Sequence, residues 1–227
     1  MDGDSPGTAS VRATYDRIAD HFAKTRAYPW PEVEAFLDDR AVPPGAPGPT
    51  VGLDVGCGNG RHTELLAEQC DRALGVDASR AMLATARERA NGGSETPGAR
   101  GFALVQAGAA ALPVADGTVD AGVYVATLPH LPARERRRAS LDELARALAP
   151  DGRALVSAWS TEHDRFDAES GFDTTVDWTL PGGETVGRFY HIYDPDEFRA
   201  DVAASALELV EFEVSSGNCY GVVRRAD

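Results

Sequence analysis

The stretch from residue 51 to residue 60 constrains this chain most, because it reads Val-Gly-Leu-Asp-Val-Gly-Cys-Gly-Asn-Gly. A short apolar run that ends in glycines is typical of a buried strand followed by a tight turn. Glycine adopts left-handed backbone conformations without steric cost and lets a ligand approach the main chain closely. In parallel α/β sheets, such a turn between a strand and a helix binds a nucleotide-type cofactor. The sequence therefore predicts a cofactor at Gly56, Gly58 and Gly60.

Two acids and the glycine spacing indicate which cofactor this is. Asp54 lies two residues before Gly56, and Asp77 ends the next apolar run, residues 73–76. A dinucleotide turn requires the spacing G-x-G-x-x-G, and here Arg61 occupies the position of the last glycine. The spacing G-x-G-x-G with an acid two residues upstream instead resembles the class I S-adenosylmethionine (SAM) methyltransferases. The pattern therefore favours SAM over NAD, and over a glycine turn that binds nothing.

The resemblance implies a set of contacts for SAM and for its product, S-adenosylhomocysteine. Asp54 would meet the ammonium group of the cofactor, directly or through water, and Asp77 would accept both ribose hydroxyls. Relatives often have an acid that binds the adenine amino group at the position where this chain has Gly108. Adenine should therefore contact backbone groups at this position, and cofactor binding should be weaker or less selective. The predicted cofactor-binding residues are Tyr15, Asp54, Gly56, Cys57, Gly58, Gly60, Asp77, Ala78, Gly108 and Ala109.

Alternating apolar runs and helical patterns predict the fold class. We expect an α/β fold with a parallel, doubly wound sheet. The resemblance to the class I methyltransferases implies that this fold is Rossmann-like, with a seven-stranded, mostly parallel sheet and helices on both faces. The predicted strands are 50–55, 72–77, 101–106, 119–125, 153–159, 185–192, 206–214 and 218–223. The predicted helices are 11–27, 31–37, 60–69, 79–90, 133–148 and 195–204.

The same pattern of helices, strands and polar segments predicts the domain organisation. Residues 1–10 are small and polar and are expected to be disordered, and residues 11–227 should form a single domain that opens with helices within 11–40. Residues 160–183 should be a polar, irregular insertion that acts as a lid. Two further segments rich in glycine and proline or serine are predicted to be a linker, 42–49, and a loop, 91–99.

Charge and cysteine content limit the classes of partner. The chain has 36 acids against 22 bases, a formal net charge of −14, and Lys24 as its single lysine. This composition is typical of halophilic, salt-adapted proteins and offers no basic patch, so we expect no DNA partner. The spacing of the three cysteines supports neither a zinc site nor a disulfide framework. No apolar run approaches the roughly 20 residues of a membrane span, and we expect no membrane partner and a cytoplasmic location.

Further motifs resemble one family within the methyltransferases, the tRNA wobble-uridine carboxymethyl methyltransferases. The opening Tyr-Asp-Arg-Ile-Ala-Asp-His-Phe at residues 15–22 and the strand Arg-Phe-Tyr-His at 188–191 are the most selective of these motifs. The others are Thr25-Arg26, Trp30-Pro31, the glycine turn, Gln106-Ala107, Leu112-Pro113, His130-Leu131, Arg136-Arg137 and 148–152. Together the motifs occur in order along nearly the whole chain.

This second resemblance implies an activity and partners. The activity is methylation of the carboxylate of 5-carboxymethyluridine at the tRNA wobble position, which gives a methyl ester. The implied partners are tRNA and a small zinc-binding activator subunit. The alternatives are a methyltransferase of the same fold for a quinone or small carboxylic acid, and a SAM-binding scaffold without turnover.

The acceptor chemistry suggests which residues act on the substrate. A carboxylate with a pKa near 4 is ionised at neutral pH and needs no general base, only cationic or hydrogen-bonding groups that orient it. The candidates are Arg26, His130, Arg188 and His191, and Arg188 and His191 should face opposite sides of a strand because they are three residues apart. Trp178 is expected either to stack on a flipped base or to be a core or lid residue.

Overall fold

The structure is a computed structural model that describes residues 8–39, 50–92 and 101–226. The helices are α1 (Thr8–Thr25), α2 (Pro31–Asp39), α3 (Arg61–Gln69), α4 (Arg80–Gly92), α5 (Arg134–Ala147) and α6 (Pro195–Ala203). The strands are β1 (Val51–Val55), β2 (Arg72–Asp77), β3 (Ala103–Gln106), β4 (Val119–Val125), β5 (Leu148–Trp159), β6 (Phe172–Thr179), β7 (Thr185–Ile192), β8 (Leu207–Ser215) and β9 (Asn218–Arg225). A single 3₁₀ turn, Leu128–His130, follows β4.

Seven strands form one sheet in the order β3-β2-β1-β4-β5-β9-β8. β9 pairs antiparallel with both of its neighbours, and the other pairs in the sheet are parallel. Because helices cover both faces, the central strands are apolar on both sides, and β4 is buried along nearly its whole length. The predicted fold class, with seven strands in a mostly parallel sheet, is confirmed.

The segment that was expected to be an irregular insertion contains β6, so that part of the prediction is wrong. β6 pairs antiparallel with β7, from Phe172 opposite Ile192 to Thr179 opposite Thr185, and forms a two-stranded sheet of its own. Its sequence, Phe-Asp-Thr-Thr-Val-Asp-Trp-Thr, alternates between partly buried and exposed positions. One face of this strand is exposed to solvent and carries polar residues. The composition of the strand is therefore similar to that of a loop.

The β6–β7 ribbon and α1 pack together at the end of the sheet where the parallel strands finish. Ile18 and Ala19 of α1 join Met82 of α4 and Trp178 and Val186 of the ribbon in one buried cluster. A roof therefore covers the glycine turn, and its two parts are held together by apolar contact.

Several element boundaries differ from the predicted ones. α1 begins at Thr8 and not at residue 11, and β5 begins at Leu148, directly after α5. Residues 1–7 of the predicted disordered terminus, the linker 42–49 and most of the loop 91–99 lie outside the described residues. Within the described ranges, no helix has the length and apolar character needed to cross a membrane.

Candidate active site

The glycine turn has the backbone geometry that its sequence predicts. Gly56, Gly58 and Gly60 have φ values of 73°, 54° and 78°, in the left-handed region. A Cβ atom at Gly56 would lie 2.1 Å from Oγ1 of Thr127, because the loop after β4 presses on the turn. Space at this point exists only for a residue without a side chain.

Asp77 closes the turn from the neighbouring strand. Its Oδ2 accepts a hydrogen bond from the Gly58 N–H at 2.9 Å, and its Oδ1 accepts one from the Ser79 N–H at 2.7 Å. Burial raises the pKa of the carboxyl group. Each oxygen keeps a second lone pair, and Asp77 lines a cavity. These lone pairs are suited to a pair of vicinal hydroxyl groups.

Asp54 lies beneath the turn and does not line the cavity. Its side chain is 2% exposed, and its Oδ2 accepts a hydrogen bond of 2.7 Å from Oγ1 of Thr63 in α3. Burial raises the pKa of Asp54 to about 7, against the opposing effect of the Thr63 bond. The side chain of Asp54 is therefore buried and stands apart from the cavity wall, and of the two predicted routes to an ammonium group, direct or through water, this position favours the one through water.

A cavity of about 510 Å³ opens at the carboxyl ends of the parallel strands, under α1. The predicted site residues in its wall are Tyr15, Arg26, Gly56, Cys57, Gly58, Asp77, Ala78, Gly108, Ala109, His130 and Arg188. Three predicted residues lie outside the wall, namely Asp54, Gly60 and His191. Gly60 instead forms the N-terminal boundary of α3.

His191 points away from the cavity, so its predicted role at the acceptor is wrong. Its Nδ1 lies 2.7 Å from Asp173 and its Nε2 lies 3.1 Å from Glu197, which places the ring between β6 and α6. Arg188 and His191 are an odd number of residues apart on β7, and side chains alternate between the two faces of a strand. Since Arg188 faces the cavity, His191 faces the opposite side.

Two arginines face one indole ring beside the cavity. The guanidinium carbons of Arg188 and Arg26 lie 4.8 Å and 5.5 Å from the ring centroid of Trp178. Trp178 is 9% exposed and donates its indole N–H to Nδ1 of His21 at 3.1 Å. It is thus a packed residue that supports the arginines, and the alternative that it stacks on a flipped base is not supported. Within the described ranges, neither arginine forms an ion pair with an acid.

His130 is held as a neutral ring. Its Nδ1 lies 2.8 Å from the carbonyl oxygen of Phe189, which can only accept, so Nδ1 carries the proton. Its Nε2 then accepts from the hydroxyl of Tyr15 at 2.7 Å. Burial lowers the pKa of His130 to about 4. Both ring nitrogens are occupied, so His130 shapes the wall and does not supply a positive charge.

The cavity wall also contains residues that the sequence analysis missed. Thr127 follows the carboxyl end of β4 and Trp159 is the last residue of β5, and position at the carboxyl end of a parallel strand is the signal that identified His130. Tyr190 lies within a matched motif, and its ring centroid is 4.2 Å from that of His130. The alternation of side chains along β7 places Tyr190 on the same face as Arg188.

Comparison with known proteins was consistent with this geometry. Residues 53–156 match a family model described as a methyltransferase domain. The chain is 33% identical over 162 residues to mouse tRNA (carboxymethyluridine(34)-5-O)-methyltransferase ALKBH8, an alignment that covers 71% of this chain and 22% of that protein. It is 32% identical to the tRNA (carboxymethyluridine(34)-5-O)-methyltransferase of Saccharomyces cerevisiae, over 75% of this chain and 57% of that one. The chain thus spans about a fifth to somewhat over half the length of these relatives.

Solved structures agree on the fold. The CcbJ methyltransferase from Streptomyces caelestis superposes with a TM-score of 0.71 at 22% identity, covering 94% of this chain and 98% of that one. At this identity the likeness establishes architecture alone. The sequence matches, the strand order and the glycine turn agree with this architecture. The chain therefore belongs to the class I SAM-dependent methyltransferases, and within them it resembles the tRNA carboxymethyluridine methyltransferases.

Proposed function

We propose that this methyltransferase forms the methyl ester of 5-carboxymethyluridine at the wobble position of tRNA. One observation supports the proposal above the others. Arg26 and Arg188 converge on Trp178 beside the cavity, and no acid in the described ranges pairs with either of them. Arginine binds carboxylates in a planar, bidentate geometry, and an arginine that lacks a protein counter-ion is available to a ligand.

The charge of the cavity wall favours an anionic acceptor. Although the chain has a net charge of −14, Asp77 is the one acid that lines this cavity in the described ranges. The arginines in the wall are Arg12, Arg26, Arg61, Arg136 and Arg188. An acidic protein thus presents a positive surface at this site. A tRNA offers both a reacting carboxylate and neighbouring phosphates to such a surface.

The residues also fit a transfer that needs no general base. The acceptor carboxylate is ionised at neutral pH, because its pKa is near 4. His130 is neutral, and both of its nitrogens are engaged by Tyr15 and Phe189. The arginines would orient one carboxylate oxygen toward the methyl group, and the aromatic wall would keep water away from the approaching opposite charges.

The cavity fits SAM at its floor. The cofactor supplies a methyl group on a cationic sulfonium. Gly56 leaves room that a Cβ atom would fill, and the free lone pairs of Asp77 are suited to the ribose hydroxyls. We propose that Ala78, Gly108 and Ala109 line the adenine side and that Tyr15 and Cys57 complete the wall. Asp54 would act on the ammonium group from below the turn, through water or at a distance.

We propose tRNA and a small zinc-binding activator as partners, and a cytoplasmic location that follows from a tRNA substrate. The activator is what the resemblance of the sequence motifs to the tRNA wobble-uridine carboxymethyl methyltransferases implies. Co-purification of a second small protein from extract at molar salt tests it. A fully active and well-behaved isolated chain would contradict it.

The acceptor proposal predicts the behaviour of an Arg188→Gln variant. Transfer of labelled methyl from SAM to tRNA that contains 5-carboxymethyluridine should fall about 100-fold in kcat/KM, because the substrate carboxylate would lose a charged partner. The dissociation constant for SAM should change less than about threefold. Arg199→Gln is the control, since Arg199 packs on Phe212 and does not line the cavity.

The same assay separates the alternative functions. Base-labile label on the wobble uridine, with or without the activator, supports the proposal. SAM binding without label on tRNA would contradict it. Label on a quinone or small carboxylic acid would then establish the small-molecule function, and no acceptor at all would establish a scaffold.

Gly56→Ala should weaken SAM binding at least tenfold. The added Cβ would meet Thr127, and φ of 73° is unfavourable for alanine. Calorimetric titration with SAM measures the effect, and a thermal melt checks that the variant is folded. Gly101→Ala, which adds a methyl group in open space, is the control. Equal SAM affinity in both variants would contradict the proposed cofactor position.

Binding of SAM should release protons from Asp54 near neutral pH. Burial raises the pKa of Asp54 to about 7, so the free protein is mostly protonated there at pH 6 and ionised at pH 9. A cationic ligand favours the ionised form and lowers this pKa. Calorimetry in buffers of different ionisation enthalpy should therefore detect proton release at pH 6 to 7 and none at pH 9. If the Asp54→Asn variant releases the same number of protons on SAM binding as the wild type, the proton comes from another group.

Salt should stabilise the protein, as a halophilic protein requires. The excess of 14 negative charges destabilises the compact state at low salt, and at about 1 M salt the Debye length falls to about 3 Å. The unfolding midpoint should rise at least about 5 °C between 0.2 M and 2 M KCl. Differential scanning fluorimetry measures it, and a constant or falling midpoint would contradict salt adaptation.

A further inference from the structure

We infer that Tyr190 is the residue that positions Arg188 for the acceptor carboxylate. The inference rests on the proposed function, since it assumes a carboxylate substrate at Arg188. It assigns a separate role to the tyrosine hydroxyl, which lies in the cavity wall and does not itself need to touch the substrate.

Arg188 has few polar partners for a buried cation, and they are the hydroxyl groups of Tyr190 and Tyr15. Arg188 is 7% exposed, and Nε has no hydrogen-bond partner. Trp178 and Tyr190 lie against the guanidinium, with ring centroids 4.8 Å and 5.2 Å from its central carbon. Ring contacts fix the depth of the guanidinium but allow it to turn within its own plane. A directional contact is needed to fix which N–H groups face the ligand.

Tyr190 supplies that directional contact. Nη1 of Arg188 donates a hydrogen bond of 2.8 Å to the Tyr190 hydroxyl oxygen. The tyrosine ring is itself fixed, with centroids 4.2 Å from His130 and 5.4 Å from Trp159. Because a guanidinium is rigid and planar, one anchored nitrogen sets the direction of the remaining N–H groups. Tyr190 thereby aligns the fork that accepts a carboxylate.

Tyr190→Phe tests this role, because it removes the hydroxyl and keeps the ring contacts with His130 and Trp159. The kcat/KM for tRNA bearing 5-carboxymethyluridine should fall about tenfold, the effect of losing a hydrogen bond to a charged group. SAM affinity and the unfolding midpoint should stay near the wild-type values. Tyr193→Phe is the matched control, since that hydroxyl bonds Asp201 at 3.3 Å and lies outside the cavity wall.

A double-mutant cycle distinguishes positioning from packing. In an Arg188→Gln background, Tyr190→Phe should cost less than twofold, because the group that it positions is gone. An equal loss in both backgrounds, or a wild-type kcat/KM for Tyr190→Phe alone, would overturn the inference.

Binding of a nucleoside keeps this test separate from the test of the proposed function. Tryptophan fluorescence gives the affinities of wild type and Tyr190→Phe for 5-carboxymethyluridine and for uridine. Tyr190→Phe should lose about tenfold for the carboxylate and nothing for uridine. If tRNA is not methylated but this pattern holds, the proposed function fails and the role of Tyr190 stands. If wild type binds both nucleosides equally, the inference fails.

Discussion

The rest of the site depends on the hydrogen bonds that the carboxylate of Asp77 accepts. This carboxylate accepts the N–H of Gly58 at the end of β1 and the N–H of Ser79 ahead of α4, and so joins two adjacent βα turns. Ser79 in turn donates its hydroxyl to Asp16 of α1 at 2.7 Å. One partly buried acid therefore fixes the glycine turn, and through Ser79 it also fixes the helix that roofs the cavity.

The cofactor half of the site could be predicted from sequence because its constraints are local. Left-handed glycines, a strand-ending acid and apolar runs all act within a few residues, and the structure reproduces each of them at Gly56, Gly58 and Asp77. The sequence left open whether Asp54 reaches the cavity, and in the structure it lies outside the cavity wall. Its burial depends on Thr63 in the following helix, and that contact is not encoded in the spacing of the turn.

The acceptor half was predicted less well because it is assembled from distant segments. Arg26, Trp178 and Arg188 meet only when α1 packs on the β6–β7 ribbon, and β6 has a composition that resembles a loop. The alternation of side chains along β7 predicts that Arg188 and His191 lie on opposite faces of the strand. It does not predict which of the two faces the cavity. The contact between α1 and the ribbon decides that point. Tyr190 follows from the same alternation once Arg188 is placed.

The arrangement would allow a strongly acidic chain to bind the anionic substrate that we propose. Several arginines elsewhere pair with acids, as Arg134 and Arg138 do with Asp201. Arg26 and Arg188 are held instead by aromatic rings, which stabilise a cation without neutralising it. Their full charge remains available to a carboxylate. In molar salt, such short-range contacts act within the screening length, whereas long-range attraction does not.

The most direct test of this account is nucleoside mass spectrometry of total tRNA from a strain that lacks this protein. The account predicts that methoxycarbonylmethyluridine disappears, that 5-carboxymethyluridine accumulates in its place, and that the wild-type chain restores the ester. An unchanged level of methoxycarbonylmethyluridine in the deletion strain would contradict it.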